Sequence, residues 1–318
     1  MKILVTGSAG HLGEALMRTL RDRGMAALGL DVLPSPFTDV TGSIADRAVV
    51  DGCMHGITHV LHAATLHKPH VATHPCQVFV DTNVTGTLNL LEAAVANGVK
   101  AFIFTSTTST FGDALTPPRG APAAWITEDV VPIPKNIYGV TKTAAEDLCR
   151  LFHRNQKLPC LVLRTSRFFP EEDDVPERAA TFADANLKMN ELLYRRVDVE
   201  DVVSSHLLAL EKAPALGFDK FIITATTPFR REDLAQLGID APGVLARYFP
   251  EFQETYARLG WKMLPTLDRV YVNARAREGL GWQPRYDFAH ALRSVAAGKD
   301  YRSALTLRIG SKGYHRVA

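Results

Sequence analysis

The 318-residue chain holds only four cysteines, Cys53, Cys76, Cys149 and Cys160, and none forms a Cys-x-x-Cys pair. Cys149 and Cys160 sit beside apolar residues and read as buried thiols, the usual fate of free cysteine. No metal site is expected. Long apolar runs are missing too, since no stretch approaches the roughly 18 residues that a membrane span requires. The apolar start Ile3-Leu4-Val5 stops at once in Thr6-Gly7, so no secretory signal is read there. These absences predict a cytoplasmic, reduced protein with no membrane partner. Excess charge is also lacking. Lysine and arginine number 36 against 34 acidic residues, a formal charge of +2. A dedicated nucleic-acid binder needs a basic surplus to neutralise phosphate, so no nucleic-acid partner is expected. Neither an internal repeat nor a low-complexity linker occurs.

What remains is an ordinary globular composition, 46% apolar and 22% charged, which excludes disorder, collagen and coiled coil. Roughly two structural units are expected at this length. Such a chain can bury about 75% of its unfolded surface without a disulfide or metal staple. Short apolar runs at 2–6, 26–32, 57–62, 101–106 and 159–164 read as strands, with helical periodicity over 11–23, 82–98 and 137–154 between them. Alternation of this kind predicts βαβ units, hence an α/β, doubly wound parallel sheet (Rossmann). It fails after residue 165. There 198–210 looks helical and 220–225 extended, and the rest mixes short helices with Pro242, Trp261, Pro265, Trp282 and Pro284. We therefore expect a dinucleotide-binding domain over 1–165, joined by strand 220–225, and a small C-terminal substrate-binding cap from 166–219 and 226–318. The basic tail after Asp300 reads as a solvated terminus.

The first strand runs straight into Gly7, Gly10 and Gly13, spaced three and three. A pyrophosphate must approach backbone N–H groups at a helix start, and side chains at those positions would block it. Gly13 lets the helix sit close on the sheet. Asp31 ends the second strand, about 20 residues beyond the glycines. Its carboxylate can accept hydrogen bonds from a ribose 2′-hydroxyl and would repel a 2′-phosphate. The next residues, Val32-Leu33-Pro34, offer no cation, so NAD is favoured over NADP.

Tyr138 and Lys142 stand four apart and share one face of a helix. A free phenol titrates near pH 10 and is a poor base at neutral pH, but a close cation favours the phenolate. The fourth strand ends in Thr105-Ser106-Thr107-Thr108-Ser109-Thr110-Phe111, where a hydroxyl could hold a substrate oxygen beside the tyrosine. Six of these seven residues carry a plain hydroxyl, so the residues alone do not pick one. Arg167 can clamp a carboxylate or phosphate bidentately, or pair with Glu171, Glu172, Asp173 or Asp174. His67, after Thr65, either lines the same pocket or is structural. The acidic run 171–174 reads as a solvated loop.

Taken in order, Thr6-Gly7-x-x-Gly10-x-x-Gly13, His62-Ala63-Ala64, Asn83-Val84-x-Gly86-Thr87, Thr105-Ser106-Thr107, Tyr138-x-x-x-Lys142 and Leu280-Gly281-Trp282-x-Pro284 resemble the extended short-chain dehydrogenase/reductase family, also called the NAD-dependent epimerase/dehydratase family. The resemblance implies that Tyr138 is the general acid/base, that Lys142 lowers its pKa and binds the nicotinamide ribose, and that Thr107 is the catalytic hydroxyl. It implies backbone contacts to the pyrophosphate from His11 and Leu12 and adenine contacts from Asp39 and Val40. Ala63, Ala64 and Asn83 would line the cofactor groove, and Thr105 and Thr165 would touch the ribose and nicotinamide side. Thr65, His67, Thr107 and Arg167 would face substrate.

Two departures stand out. Thr107 is followed by Thr108-Ser109, where sugar-nucleotide 4,6-dehydratases have Asp-Glu, and Tyr194 fills the slot where epimerases of UDP-sugars usually carry arginine. We expect an NAD-dependent oxidoreductase or epimerase acting by hydride transfer at a carbinol or carbonyl carbon of a sugar or sugar acid. The alternatives are a UDP-sugar epimerase and a non-catalytic NAD sensor. Apolar residues on two sides of 82–98 and 137–154 (Leu90 with Leu91, Cys149 with Leu148 and Leu151) predict a homodimer.

Overall fold

The computed structural model describes residues 1–171 and 180–313. In chain order the elements are β1 (Lys2–Thr6), α1 (His11–Asp22), β2 (Ala26–Asp31), β3 (Val40–Thr41), α2 (Arg47–Met54), β4 (His59–His62), α3 (Cys76–Phe79), α4 (Gly86–Ala96), β5 (Ala101–Thr107), β6 (Ala124–Ile126), α5 (Ile137–Gln156), β7 (Cys160–Thr165), α6 (Asp184–Glu191), α7 (Val199–Leu216), β8 (Phe218–Ile223) and β9 (Arg269–Tyr271), with short helices around β9 and after it. Two compact units divide the chain. One takes 1–114, 131–165 and 202–221, the other 115–130, 166–201 and the residues from 222 onward.

The first unit is built on a seven-stranded sheet in the order β3-β2-β1-β4-β5-β7-β8, parallel from β3 to β7. Every residue of β5 is buried, as a parallel strand covered on both faces requires. Helix α1 buries Leu12, Ala15, Leu16 and Leu20. The core between sheet and helices collects Leu4, Leu30, Val60, Leu90, Leu91, Phe102, Phe104, Cys149 and Val162. The strand order reverses direction at β1 and β4, and the crevice beyond their carboxyl ends is where open α/β sheets bind ligands.

The helix expected over 82–98 begins earlier and is interrupted. Helix α3 passes into a π-helical turn, Val80–Thr85, before α4 resumes. Asn83 is the buried residue of that turn. Two elements gave no sequence signal: β3, two residues paired with Leu30 and Asp31, and α2, capped by Asp46, whose carboxylate accepts from Ala48 and Val49 N–H.

The second unit contains the two-stranded parallel sheet β6–β9 and a core of Leu193, Phe229, Leu245, Tyr256, Val270 and Phe288. The unit boundaries differ from the expected domains for two reasons. Residues 202–216 of α7 group with the large sheet, where His206 is buried against β5, and 115–130 group elsewhere because β6 pairs with β9. The C-terminal tail keeps Arg302 and Arg308 exposed, as expected of a solvated terminus, but is folded. Ser303 caps the helix Ala304–Ile309, and its hydroxyl donates to Asp198 at 2.6 Å. Glu171 is not solvated, against expectation. It is buried and accepts from Ser311 Oγ and the Lys312 N–H. Glu172, Asp173, Asp174 and Arg316 lie outside the described residues. Among the described residues no helix is long and apolar enough to cross a membrane, and no cluster of His, Cys, Asp and Glu could hold a metal ion.

Candidate active site

Beyond β1 the chain turns at Gly7 with φ +74°, a conformation that a side chain resists. Space forbids one as well. A Cβ on Gly7 would lie 2.7 Å from the Ala64 nitrogen, and one on Gly13 1.8 Å from the Gly7 carbonyl oxygen. The glycines thus bring α1 against the β1 and β4 ends and leave first-turn N–H groups, from His11 and Leu12 onward, directed at the crevice. Asp31 closes the loop. Its carboxylate accepts from the Ala9 N–H at 2.9 Å and from Leu33 N–H at 2.9 Å, which leaves lone pairs on both oxygens. Asp39 is tied to the Gly29 N–H at 2.7 Å, and Val40 pairs with Leu30.

A buried hydrogen-bond chain fixes Ala63 and Ala64. Ala64 N–H donates to Thr6 Oγ1 (3.2 Å), Thr6 meets His62 Nδ1 (2.7 Å), and His62 Nε2 meets Thr87 Oγ1 (2.9 Å). Thr87 gives its one proton to the Asn83 carbonyl oxygen, so it can only accept from His62. His62 therefore carries its proton on Nε2 and takes the Thr6 proton at Nδ1. Burial, then the charge of Lys142, hold it well below its ordinary pKa, so it is neutral.

At the carboxyl end of β5, the Thr107 side chain accepts from the Ser109 N–H at 3.1 Å and lies close enough to the Tyr138 phenol to act on its pKa. Helix α5 starts here because Asn136 caps it, its side-chain oxygen accepting from the Gly139 N–H. Tyr138 and Lys142 follow on one face, and both are buried. Burial pushes the phenol up to about 12, against the opposing effect of Thr107. Burial pushes the Lys142 ammonium down to about 7, against the pull of Glu146 and Cys149. Lys142 lies 4.1 Å from the centre of the Phe104 ring and has no hydrogen-bond partner among the described residues. A desolvated cation without an acceptor is costly, so the site suits a ligand rich in hydroxyls.

Glu146, one turn beyond Lys142, escaped the sequence reading. It accepts from Ser106, Arg164 and Lys220, with Arg164 and Glu146 both fully buried. The only sequence signal was a further spacing of four after Tyr138 and Lys142.

The other expected site residues have protein partners. Thr105 donates to buried His206, whose own Nδ1–H goes to the Val202 carbonyl oxygen. Thr165 donates to the Ser106 carbonyl oxygen at 2.9 Å. The Asn83 amide is taken up by Thr65, both polar groups of the Leu66 backbone and Thr141, so it ties the 63–66 loop to α5. His67 stacks edge-on against His70 at 4.6 Å, and its N–H donates to His70 Nδ1. Arg167, in the other unit, lies 3.7 Å from Glu191, an acid outside the run 171–174.

The sequence model of the NAD dependent epimerase/dehydratase family matches residues 3–220. The chain is 29% identical to a dTDP-glucose 4,6-dehydratase of Streptomyces antibioticus, over 95% of this chain and 94% of that one. It is 26% identical to a UDP-glucose 4-epimerase of Rhizobium leguminosarum bv. trifolii, over 92% and 95% of the two. Among solved structures, a short-chain dehydrogenase/reductase superfamily protein from Agrobacterium tumefaciens with bound NAD superposes with a TM-score of 0.66 at 24% identity, over 93% of this chain and 96% of that one. A UDP-glucose 4-epimerase from Thermotoga maritima with UDP-glucose superposes with a TM-score of 0.65 at 24% identity, over 92% and 96%. At this identity the structural likeness establishes the fold.

Proposed function

The chain belongs to the NAD dependent epimerase/dehydratase family, and from that premise we propose that it is an NAD-dependent enzyme acting at a carbinol or carbonyl carbon of a sugar or sugar acid. The observation that carries the proposal is the convergence of the Thr107 hydroxyl and the Tyr138 phenol, with buried Lys142 one turn along the same helix face. The residues present fit the dinucleotide. A Cβ would fill the cradle at Gly7 and Gly13, and the Lys142 ammonium lacks an acceptor that ribose hydroxyls supply. When bound, NAD supplies a hydride acceptor at the nicotinamide, the step no side chain can perform.

The chain's own residues do the rest. Backbone N–H groups around His11 and Leu12 hold the pyrophosphate, and Asp31 holds the adenine ribose. Lys142 holds the nicotinamide ribose and favours the Tyr138 phenolate, which takes the substrate hydroxyl proton. Thr107 holds the substrate oxygen beside it. The same residue set would serve an epimerisation as well as a net oxidation or reduction.

A nucleotide-sugar epimerase is the second reading, favoured by the names of the relatives. Tyr194 in place of arginine weighs against it, and Thr108-Ser109 after Thr107 weighs against 4,6-dehydration. A non-catalytic sensor would have no use for a buried phenol, hydroxyl and ammonium in one place. Four free thiols fit a reducing, cytoplasmic setting. We also propose a homodimer through α4 and α5. Leu90, Leu91 and Cys149 are used within the chain's own core, but Val95, Val140 and Leu151 stay exposed on these helices.

Absorbance of reduced nicotinamide, followed on mixing the protein with NAD and a panel of sugars, uronic acids and nucleotide sugars, tests the reading. Tyr138→Phe should abolish turnover and spare NAD binding. A variant with full rate would remove Tyr138 from its role, and silence across the panel with NAD binding intact would favour the sensor.

A further inference from the structure

The sheet unit buries an anion that the chemistry above does not use. Glu146 lies four residues beyond Lys142, on the same face of α5, and both side chains are buried. A lysine and a glutamate so spaced ordinarily pair directly. Here the carboxylate is already full. Its Oε1 accepts from Ser106 Oγ at 2.6 Å and Arg164 Nε at 3.0 Å, and its Oε2 accepts from Arg164 Nη2 at 2.7 Å and Lys220 Nζ at 3.2 Å. A carboxylate offers about four lone-pair sites, so none is left for Lys142, which keeps its ammonium over the Phe104 ring.

Distance nevertheless leaves the field of Glu146 acting on Lys142, opposed by burial. The groups around the ammonium are Tyr138, Glu146 and Cys149 on α5 and neutral His62 on β4. Arg164 on β7 and Lys220 on β8 act on it through Glu146. Burial would push the Glu146 carboxyl up, but Arg164, Lys220 and Ser106 together hold it below the usual carboxylate range, so it is an anion at neutral pH.

Resting on the NAD reading of the same site, we propose that Glu146 is a positioning residue whose carboxylate, clamped by Ser106, Arg164 and Lys220, keeps Lys142 charged yet unpaired, and so available to the cofactor ribose and the Tyr138 phenol. The clamp has two effects of opposite sign. It withholds the carboxylate from a direct ion pair, and its cations weaken the field that reaches Lys142.

The test is the titration of Lys142 in the full cofactor-free chain, read by NMR with lysine carbon-13-labelled at the ε position and assigned with Lys142→Met. Glu146→Gln should weaken the proton affinity of Lys142 by about tenfold or more, the effect of losing a close opposite charge. Lys220→Met should strengthen it, because a cation beside Glu146 is removed. A general loosening of the fold would move both variants in the same direction. An unmoved midpoint in Glu146→Gln overturns the proposal. Should that variant not fold, Lys220→Met decides, since Lys220 is partly exposed and an unmoved or lowered midpoint there overturns it equally. NAD calorimetry on the wild type separates the two readings. Absence of binding at every pH defeats the cofactor assignment, while the lysine titration still decides how Glu146 acts on Lys142.

Discussion

The side chains of Thr107 and Tyr138, one at the end of β5 and the other in the first turn of α5, come close enough for Thr107 to work against the burial that raises the phenol's pKa. They are 31 residues apart (138 − 107) and are brought together by the crossover that sets α5 against β5. The neighbouring hydroxyls are used elsewhere: Thr105 on His206, Ser106 on Glu146 and Thr110 on the Thr107 carbonyl oxygen. Thr107→Ser should therefore keep most of the turnover and Thr107→Ala should lose about tenfold to a hundredfold, the worth of one hydrogen bond to a group that becomes charged. Steady-state kinetics on the first substrate found checks this, and equal rates for the two variants would assign Thr107 a structural role.

This selection shows what the sequence could and could not carry. The glycine loop was legible because phosphate approach and helix packing both forbid a side chain, so Gly7, Gly10 and Gly13 leave an imprint independent of context. The Tyr138–Lys142 pair was legible as spacing. The choice of Thr107 among six hydroxyls needed the family resemblance, since residue type alone does not say which way a strand end points. Glu146 was hidden because a glutamate four residues after a lysine looks like an ordinary surface pair. Only the fold shows that Arg164, from the neighbouring strand, has taken its place. Thr105 and Thr165 spend their hydroxyl protons on His206 and the Ser106 carbonyl oxygen, and the Asn83 amide is filled by protein groups, none of which residue type alone foretells.

Gly13→Ala should cripple the nucleotide end. The added methyl meets a backbone carbonyl carbon and oxygen that no rotamer change can move. The helix must back away from the sheet, at a cost of about 1–3 kcal/mol for overpacking. Thermal denaturation should show the loss, and calorimetry should show NAD affinity falling by more than the stability change explains. Unchanged affinity would mean that the loop does not hold the pyrophosphate.

Asp31 offers a sharper probe of cofactor choice. Its carboxylate braces Ala9 and Leu33 and has lone pairs to spare. Asp31→Asn should weaken NAD about tenfold, the worth of one charge-assisted hydrogen bond. Discrimination against NADP should shrink as well, because the repelling charge is gone. Titrating both cofactors into both proteins decides the matter. A variant that loses NAD and NADP in equal proportion would reduce Asp31 to a loop brace.

Glu191 yields a prediction about acid stability. Its buried carboxylate lies 2.6 Å from Arg195, 2.8 Å from Arg196 and 3.7 Å from Arg167. Burial works to raise its pKa, but Arg196, Arg195 and Arg167 outweigh that and hold it down to about 2. An unfolded glutamate titrates near about 4.3. The folded value is the lower one, so the stabilisation is fully present above the unfolded value and disappears as pH falls through the folded one. Integrated over that interval it amounts to about 3 kcal/mol at neutral pH. Glu191→Gln keeps the shape and removes the charge. Urea denaturation should find the variant less stable at pH 7, with the difference shrinking steadily between about pH 4 and pH 2. A difference that stays constant with pH would mean that the three arginines do not depress the carboxyl, and that Glu191 contributes by packing alone.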